Sequence, residues 1–252
     1  MTEAQTAAPA STNARDRLIV ALDVESADEA RVLVAALKEF AGAFKVGLQL
    51  FTSAGPSFVR ELCDADIKVF LDLKFHDIPN TVAKAGVEAA RNGVWMFNVH
   101  ASGGNEMMHA VVSEVSAFCE KESLDRPKII GVTVLTSSSD LTLRQIGIDG
   151  SPADQVMRLV RLAKGSGLDG VVASPQESHL IRAEMGSGFT IVTPGVRPIN
   201  ASNDDQKRVM TPSDAIRAGA DHLVIGRPIT ASNDPAAAAQ EILQEIKKAV
   251  NA

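Results

Sequence analysis

Short apolar runs rich in Val and Ile alternate with longer amphipathic stretches along almost the whole chain. Eight of the short runs read as strands: RLIVALD, AFKVGLQL, IKVFLDLK, VWMFNVH, KIIGVTVL, DGVVAS, FTIVTP and DHLVIG. Between them lie helical patterns such as SADEARVLVAALKEF, TVAKAGVEAARNG and SPADQVMRLVRLAKGSG. Ser26 and Ser151 stand where N-caps belong, with Glu29 and Asp154 three residues on, and Gly93 and Gly165 suit helix ends. Strands alternating with helices imply a parallel sheet. Eight such units in about 230 residues, without a linker or a second composition regime, favour an α/β fold of one closed (β/α)₈ barrel, the TIM barrel. The expected division is an arm over residues 1–16 and a barrel over 17–252. A doubly wound open sheet is the runner-up, and its best support is GSGLDG, where Gly165, Gly167 and Gly170 spell G-x-G-x-x-G. A dinucleotide fingerprint must follow a strand and open a helix, whereas this one ends a helix and precedes VVAS. It reads as a helix stop.

Composition narrows the function classes. The net charge of −6 argues against a general nucleic-acid binder, so an anionic ligand must be held by local basic residues. Cys63 and Cys119 share no close spacing and fall in expected helices, which makes them reduced, packed thiols. The opening MTEAQTAAPASTNARD carries Glu3 and lacks both early basic residues and an apolar core, so it reads as a frayed arm and not a targeting segment. No apolar run approaches the ~18 residues of a membrane span. The expectation is a soluble, cytoplasmic protein.

The run VFLDLKFHDIPNT, residues 69–81, then breaks the pattern. It starts as a buried strand, yet Asp72, Lys74 and Asp77 follow within a few positions. Charges are seldom buried unless paired or functional. Residues two apart share a strand face, so Asp72 and Lys74 should project together while Leu73 turns away. A lone pair would read equally well as a structural salt bridge. Lys45 within AFKVGLQL and Asp77 in the following turn shift the balance to function. In a barrel, functional groups gather at the C-terminal strand ends, where Asp23, His100 and Thr136 also fall. Residues 193–212, TPGVRPINASNDDQKRVMTP, form a long polar connection containing Arg197 and Gln206. VIGRPIT supplies Gly226, which allows close backbone approach, and Arg227, a fork of donors. Loops after strands 7 and 8 are the frequent phosphate site of this fold. His109, His179 and His222 lie in helical or peripheral settings and carry no expected role. His76 and His100 sit nearer the site, but no metal-ligand spacing joins them, and Lys45 and Lys74 would repel a divalent cation. No metal is expected.

Taken in order, VALD, FKVGLQLF, LDLKFHDIPNT, NVHASGG, GVTVLTS, TPGVRP, DDQKRV and VIGRPI resemble the landmarks of the bacterial orotidine 5′-phosphate decarboxylase family over about residues 18–235. The D-x-K-x-x-D pattern of Asp72, Lys74 and Asp77 alone would be less specific, since related sugar-phosphate decarboxylases and aldolases carry a similar one. Gln49 departs from the more usual Glu and inherits no role. The resemblance implies that Lys74 is the general acid at C6 of the pyrimidine. It places Asp72 beside the substrate carboxylate, Lys45 between ribose and Asp72, and Asp23 on a ribose hydroxyl. Asp77, Ile78 and Thr81 would complete the site of a neighbouring subunit in a homodimer. Thr136 would touch the base, Pro194 would line the substrate site, and Arg197 and Arg227 would hold the phosphate. Gln206 would bridge phosphate and base, with a backbone N–H from Gly226. No cofactor is implied.

The chemistry makes sense independently. Decarboxylation at this ring carbon leaves an in-plane carbanion that the π system cannot delocalise, so preorganised charge must stabilise it. A nearly neutral network of Lys45, Asp72, Lys74 and Asp77 would make burial tolerable. Two rivals remain: a magnesium-dependent sugar-phosphate enzyme, which should carry a carboxylate where Lys45 stands, and a non-catalytic phosphoribosyl-ligand-binding protein, which has no need of Lys74 beside Asp72.

Overall fold

A computed structural model of the chain describes residues 13–198 and 210–251. Each apolar run becomes one strand of a closed parallel barrel ordered β1 to β8, each strand paired with its sequence neighbours and β8 with β1. The elements run β1 (Leu18–Ala21), α1 (Ala27–Leu37), β2 (Ala43–Gly47), α2 (Leu48–Asp64), β3 (Val69–Phe75), α3 (Pro79–Arg91), β4 (Met96–His100) and α4 (Gly104–Glu122). They continue with β5 (Lys128–Val132), α5 (Asp140–Gln145), α6 (Pro152–Gly165), β6 (Gly170–Val172), α7 (Ser178–Met185), β7 (Thr190–Pro194), α8 (Pro212–Arg217), β8 (His222–Ile225), α9 (Arg227–Thr230) and α10 (Pro235–Val250). The second run is shorter than its hydrophobicity suggests. The strand stops at Gly47, and residues 48–50 already belong to α2. That helix is itself broken at Gly55, which takes a left-handed φ of 73° just before Pro56.

Period-two alternation sorts the strand residues into two cores. One set, including Phe44, Val46, Leu71, Phe97 and Val99, packs outward against the helices. The other is a small plug of Ile19, Ala21, Ala43, Phe70, Met96, Ile130, Val192 and Val224 that fills the barrel interior. Two residues beyond that plug, on the same strand faces, come Asp23, Lys45, Asp72 and Asn98. Apolar filling below and polar groups above are thus written by one alternation.

Helix ends follow local chemistry. Ser151 and Asp154 form a reciprocal capping box. Ser26 accepts the Glu29 N–H, while the Glu29 carboxylate takes the N–H of Glu25 instead of completing a box. Gly93 adopts φ 79° after α3, as expected of a stop; after α6 it is Gly167, at φ 85°, that takes this conformation, and Gly165 remains inside the last turn. Cys63 and Cys119 are free thiols on α2 and α4, and burial pushes the Cys63 thiol up to about 11. Among the described residues no helix is long and apolar enough to cross a membrane.

The expected arm lies largely outside the described residues, but its end is folded. Residues Ala14–Arg17 form a 3₁₀ turn, Ala14 is buried, and Arg15 donates to the carbonyls of Ala41 (3.0 Å) and Lys38 (2.6 Å). The turn leads into the seam that closes the barrel, where Leu18, Ile19 and Val20 pair with Leu223, Val224 and Ile225.

His222 is not peripheral. It opens β8, is buried, donates from Nδ1 to the Asp16 carbonyl (2.9 Å) and meets the Trp95 ring edge-on. Burial holds its pKa below the ordinary histidine value, with Lys128 and Arg17 pushing the same way against the Asp16 hydrogen bond and Asp221. The unfolded chain therefore binds this proton more readily. Stability should be fully present above the unfolded pKa of about 6.5 and fall as the pH drops below it, by up to ~1.4 kcal/mol per pH unit for one proton. Urea unfolding between pH 7.5 and 5 should show this slope, and His222→Gln should lose one proton's share of it; an unchanged slope would contradict the burial of a neutral ring.

Candidate active site

Register brings the charges together. Ala21 lies opposite Lys45 and Gly47 opposite Asp72, so the ends of β1, β2 and β3 converge on one spot. The Lys45 ammonium bonds Asp23 Oδ1 at 2.9 Å and lies 3.5 Å from Asp72 Oδ2. Lys74 Nζ meets Asp72 Oδ1 at 2.7 Å. The result is a line of alternating sign, Asp23, Lys45, Asp72 and Lys74. Lys45 and Asp72 are the enclosed members, their side chains 10% and 13% exposed, whereas Asp23 is half open at 54%. An enclosed ammonium carries a desolvation penalty of several kcal/mol, which two carboxylates offset here. Gly47 makes room for it: a Cβ at that position would stand 2.9 Å from Lys45 Nζ.

Asp72 and Lys74 do project together, but not through plain alternation. Between Leu71 and Phe75 the pairing of β3 with β4 slips, so that four steps on β3 match two on β4. Within this bulge Lys74 takes a left-handed φ of 53°. That conformation costs a non-glycine residue on the order of 1 kcal/mol and needs outside support. Asn98 supplies it. Its Oδ1 accepts the Lys74 N–H at 2.8 Å, and its Nδ2 donates to Asp72 Oδ1 at 2.7 Å. One fully buried amide therefore fixes the backbone of the lysine and the carboxylate that faces it. The sequence reading passed over Asn98 and stopped at His100. The signal was present: Asn98 sits between Met96 and His100 at an inward position of FNVH, where an apolar residue would otherwise be expected.

Beside the charges opens a cavity of about 200 Å³. Phe70, Val132, Val134, Val172 and Ala173 give it apolar walls, and Lys45, Asp72 and Lys74 line one side. Thr136 and Pro194 also face it, as expected. His100 packs against His76 with ring centroids 5.5 Å apart, and its pKa is held down by burial, then by His76 and Lys74. These effects favour the neutral form of its ring. Among the described residues no group of three or more His, Cys, Asp or Glu side chains is placed to hold a metal.

The basic residues lie on the loops after β7 and β8. Arg197 is buried, and its N–H donates to the Met210 carbonyl at 3.1 Å beside a parallel bridge between Val196 and Met210. Arg227 is the first residue of α9, with Gly226 as its N-cap, and it is exposed. Gln206 lies outside the described residues. Asp77, Ile78 and Thr81 are exposed at the start of α3 and do not line this chain's cavity. The Asp77 carboxylate accepts the Ile78 N–H at 2.6 Å, so within a single chain the charge line runs through Asp23 and not through Asp77.

Asn98→Ala should separate position from presence. Asp72 and Lys74 both remain, but each loses a tether, and the partly buried Lys74 N–H loses its acceptor. A stability loss of roughly 2–4 kcal/mol is expected from unfolding curves. With Asp72 and Lys74 as the expected reacting groups, their misplacement should lower kcat by about 10²-fold with little change in KM. A folded Asn98→Ala protein with normal kcat would remove Asn98 from the site.

The profile of the family described as orotidine 5′-phosphate decarboxylase / HUMPS matches residues 16–242. The chain is 56% identical to the orotidine 5′-phosphate decarboxylase of Syntrophotalea carbinolica over 94% of this chain and 97% of that one. It is 53% identical to the enzyme of the same name from Geobacter metallireducens, over 92% and 97% of the two chains. A crystal structure of orotidine 5′-phosphate decarboxylase from Lactobacillus acidophilus superposes with a TM-score of 0.80 at 36% identity, covering 91% of this chain and 98% of that one. An uncharacterised conserved protein from Geobacillus kaustophilus superposes with a TM-score of 0.77 at 37% identity, covering 91% and 99%.

Proposed function

Since this chain belongs to the orotidine 5′-phosphate decarboxylase / HUMPS family, we propose that it converts orotidine 5′-phosphate to UMP and carbon dioxide without a cofactor, as a homodimer in the cytoplasm. The observation that carries the reading is the line of Lys45, Asp72 and Lys74, joined at 3.5 and 2.7 Å beside an apolar cavity.

In this reading the phosphate lies against Arg197 and Arg227, with Gln206 bridging it towards the base and the Gly226 N–H adding a donor. The ribose hydroxyls meet Asp23 and Lys45, and the pyrimidine enters the apolar cavity, with Thr136 and Pro194 at its edge. The C6 carboxylate then faces Asp72, which repels it, and the Lys74 ammonium is aimed at C6. The C6–carboxylate bond breaks, carbon dioxide leaves, and the electron pair stays on C6. That carbon takes a proton from Lys74, whose neutral amine regains one from water. The ammonium is in place before charge develops, so little reorganisation is required at the moment of reaction. Phosphate contacts remote from C6 supply binding energy for holding the base against Asp72. Asp77, Ile78 and Thr81 complete the neighbouring subunit's site, in keeping with their exposure here.

A magnesium-dependent sugar-phosphate reaction is the competing chemistry. A dication beside Asp72 would sit against the ammonium groups of Lys45 and Lys74 at once, which the Coulomb term opposes. The test is turnover of orotidine 5′-phosphate by the purified full chain, followed by UMP formation with and without EDTA. Undiminished turnover in EDTA is expected. Loss in EDTA would favour the metal-dependent chemistry, and absence of turnover in both would leave a binding protein.

A further inference from the structure

The alternation that lifts Asp23, Lys45, Asp72 and Asn98 to one end of the barrel has a counterpart at the other end. Two residues before the apolar plug, on the same inward-facing positions, stand Arg17, Lys68, Lys128, Thr190 and His222. They open into a cavity of about 760 Å³ at the N-terminal ends of the strands, far larger than the one beside Lys74. Its lining carries four basic side chains, Arg17, Lys68, Lys128 and Arg182, against two carboxylates, Asp16 and Asp221. This excess of positive charge belongs to a chain whose net charge is −6. Asp221 is already engaged, accepting from Arg182 at 2.6 Å and from the Ile191 N–H at 2.8 Å.

The other three cations form no salt bridge among the described residues. Lys68 stands over the Trp95 ring at 5.9 Å, and Lys128 donates to Thr190 Oγ1 at 3.2 Å. Arg17 spends one guanidinium nitrogen on the Ala220 carbonyl at 3.2 Å, and its Nε is buried with no acceptor among the described residues. A buried donor without an acceptor is uncommon in native proteins, and it marks Arg17 as a side chain not fully satisfied by its own chain. Stability alone does not explain the arrangement, since like charges on one cavity wall repel.

We infer that this end of the barrel is a second binding site, separate from the decarboxylase site, for a small multivalent oxyanion of the phosphate-ester or pyrophosphate class. Arg17, Lys68 and Lys128 are its principal donors and Trp95 is part of its wall. Strand β4 separates the two ends by about 16 Å of backbone, so neither site shares a residue with the other.

Trp95 is the chain's only tryptophan, so its fluorescence reports on this end of the barrel directly. The full-length protein is titrated with inorganic pyrophosphate against sodium chloride of matched ionic strength. A saturable change in emission is expected in the wild type and equally in Arg227→Ala, whose lesion lies at the other end. In the double variant Lys68→Met, Lys128→Met, half-saturation should move at least about tenfold higher, as loss of two charge-assisted donors implies, while decarboxylase turnover stays normal and certifies the fold. Should that variant fail to fold, Lys128→Gln alone should still shift half-saturation several-fold. The inference is overturned if chloride reproduces the change, if no saturable change occurs, if it vanishes in Arg227→Ala, or if the lysine variants leave it unmoved.

Discussion

Lys74→Ala is expected to lower kcat/KM for orotidine 5′-phosphate by roughly 10⁴-fold or more, since in the proposed mechanism one side chain supplies both the proton and the charge that awaits the carbanion. That corresponds to about 5.5 kcal/mol of transition-state stabilisation. The fold should survive. Asp72 keeps Lys45 at 3.5 Å and Asn98 at 2.7 Å, and a left-handed backbone burdens Ala no more than Lys. Lys74→Arg sharpens the test, because guanidinium retains the charge but does not give up a proton. It too should be nearly inactive if proton delivery is essential. Steady-state kinetics together with thermal melting decide the matter: a normally melting Lys74→Ala protein with more than about a tenth of wild-type kcat/KM would refute the general-acid assignment.

The second large effect concerns Asp77. The proposed shared site has Lys74 serving its own chain and Asp77 serving the neighbour, so Lys74→Ala and Asp77→Ala proteins should each be almost inactive. Mixed, dissociated and reassembled, they should recover activity. In a two-fold heterodimer one site collects both lesions and the other receives neither, so random pairing leaves about a quarter of all sites intact. Activity near that level, with subunit exchange shown by mass spectrometry, is the expected result. If the mixture stays as inactive as its parents, Asp77 acts within its own chain and the shared site is wrong.

Much of this architecture was legible because it rests on periodicity. The strand runs, the charged end of VFLDLK and the convergence of Asp23, Lys45 and Asp72 all follow from alternation with period two, and the closed barrel reproduces them. What escaped the sequence reading depends on departures from that period or on long-range packing. Residues 48–50 are as apolar as a strand, yet Gly47 ends β2 and α2 begins at once. The slip in β3 and the left-handed Lys74 are visible only with β4 alongside, and so is Asn98, whose amide has meaning only once both partners are placed. His222 looked peripheral because its position at the start of a short strand says nothing about Trp95 and Asp16, which reach it from distant parts of the chain.

The seam between β1 and β8 bears on how this protein is made. Ile19 pairs with Ala43 on one side but with Val224 on the other, so the first strand to leave the ribosome is among the last to have both edges paired. At ~5–20 residues per second, synthesis of the intervening chain takes roughly 10–40 s. Throughout that interval β1 has one open edge, and an open edge is a template for pairing with the wrong chain. The charged turn of Arg15, Asp16 and Arg17 immediately before Leu18 places ionised groups beside that edge while it waits. A ribosome-bound chain halted before His222 should therefore remain protease-sensitive at β1, and addition and release of residues 222–252 should protect it in a single cooperative step.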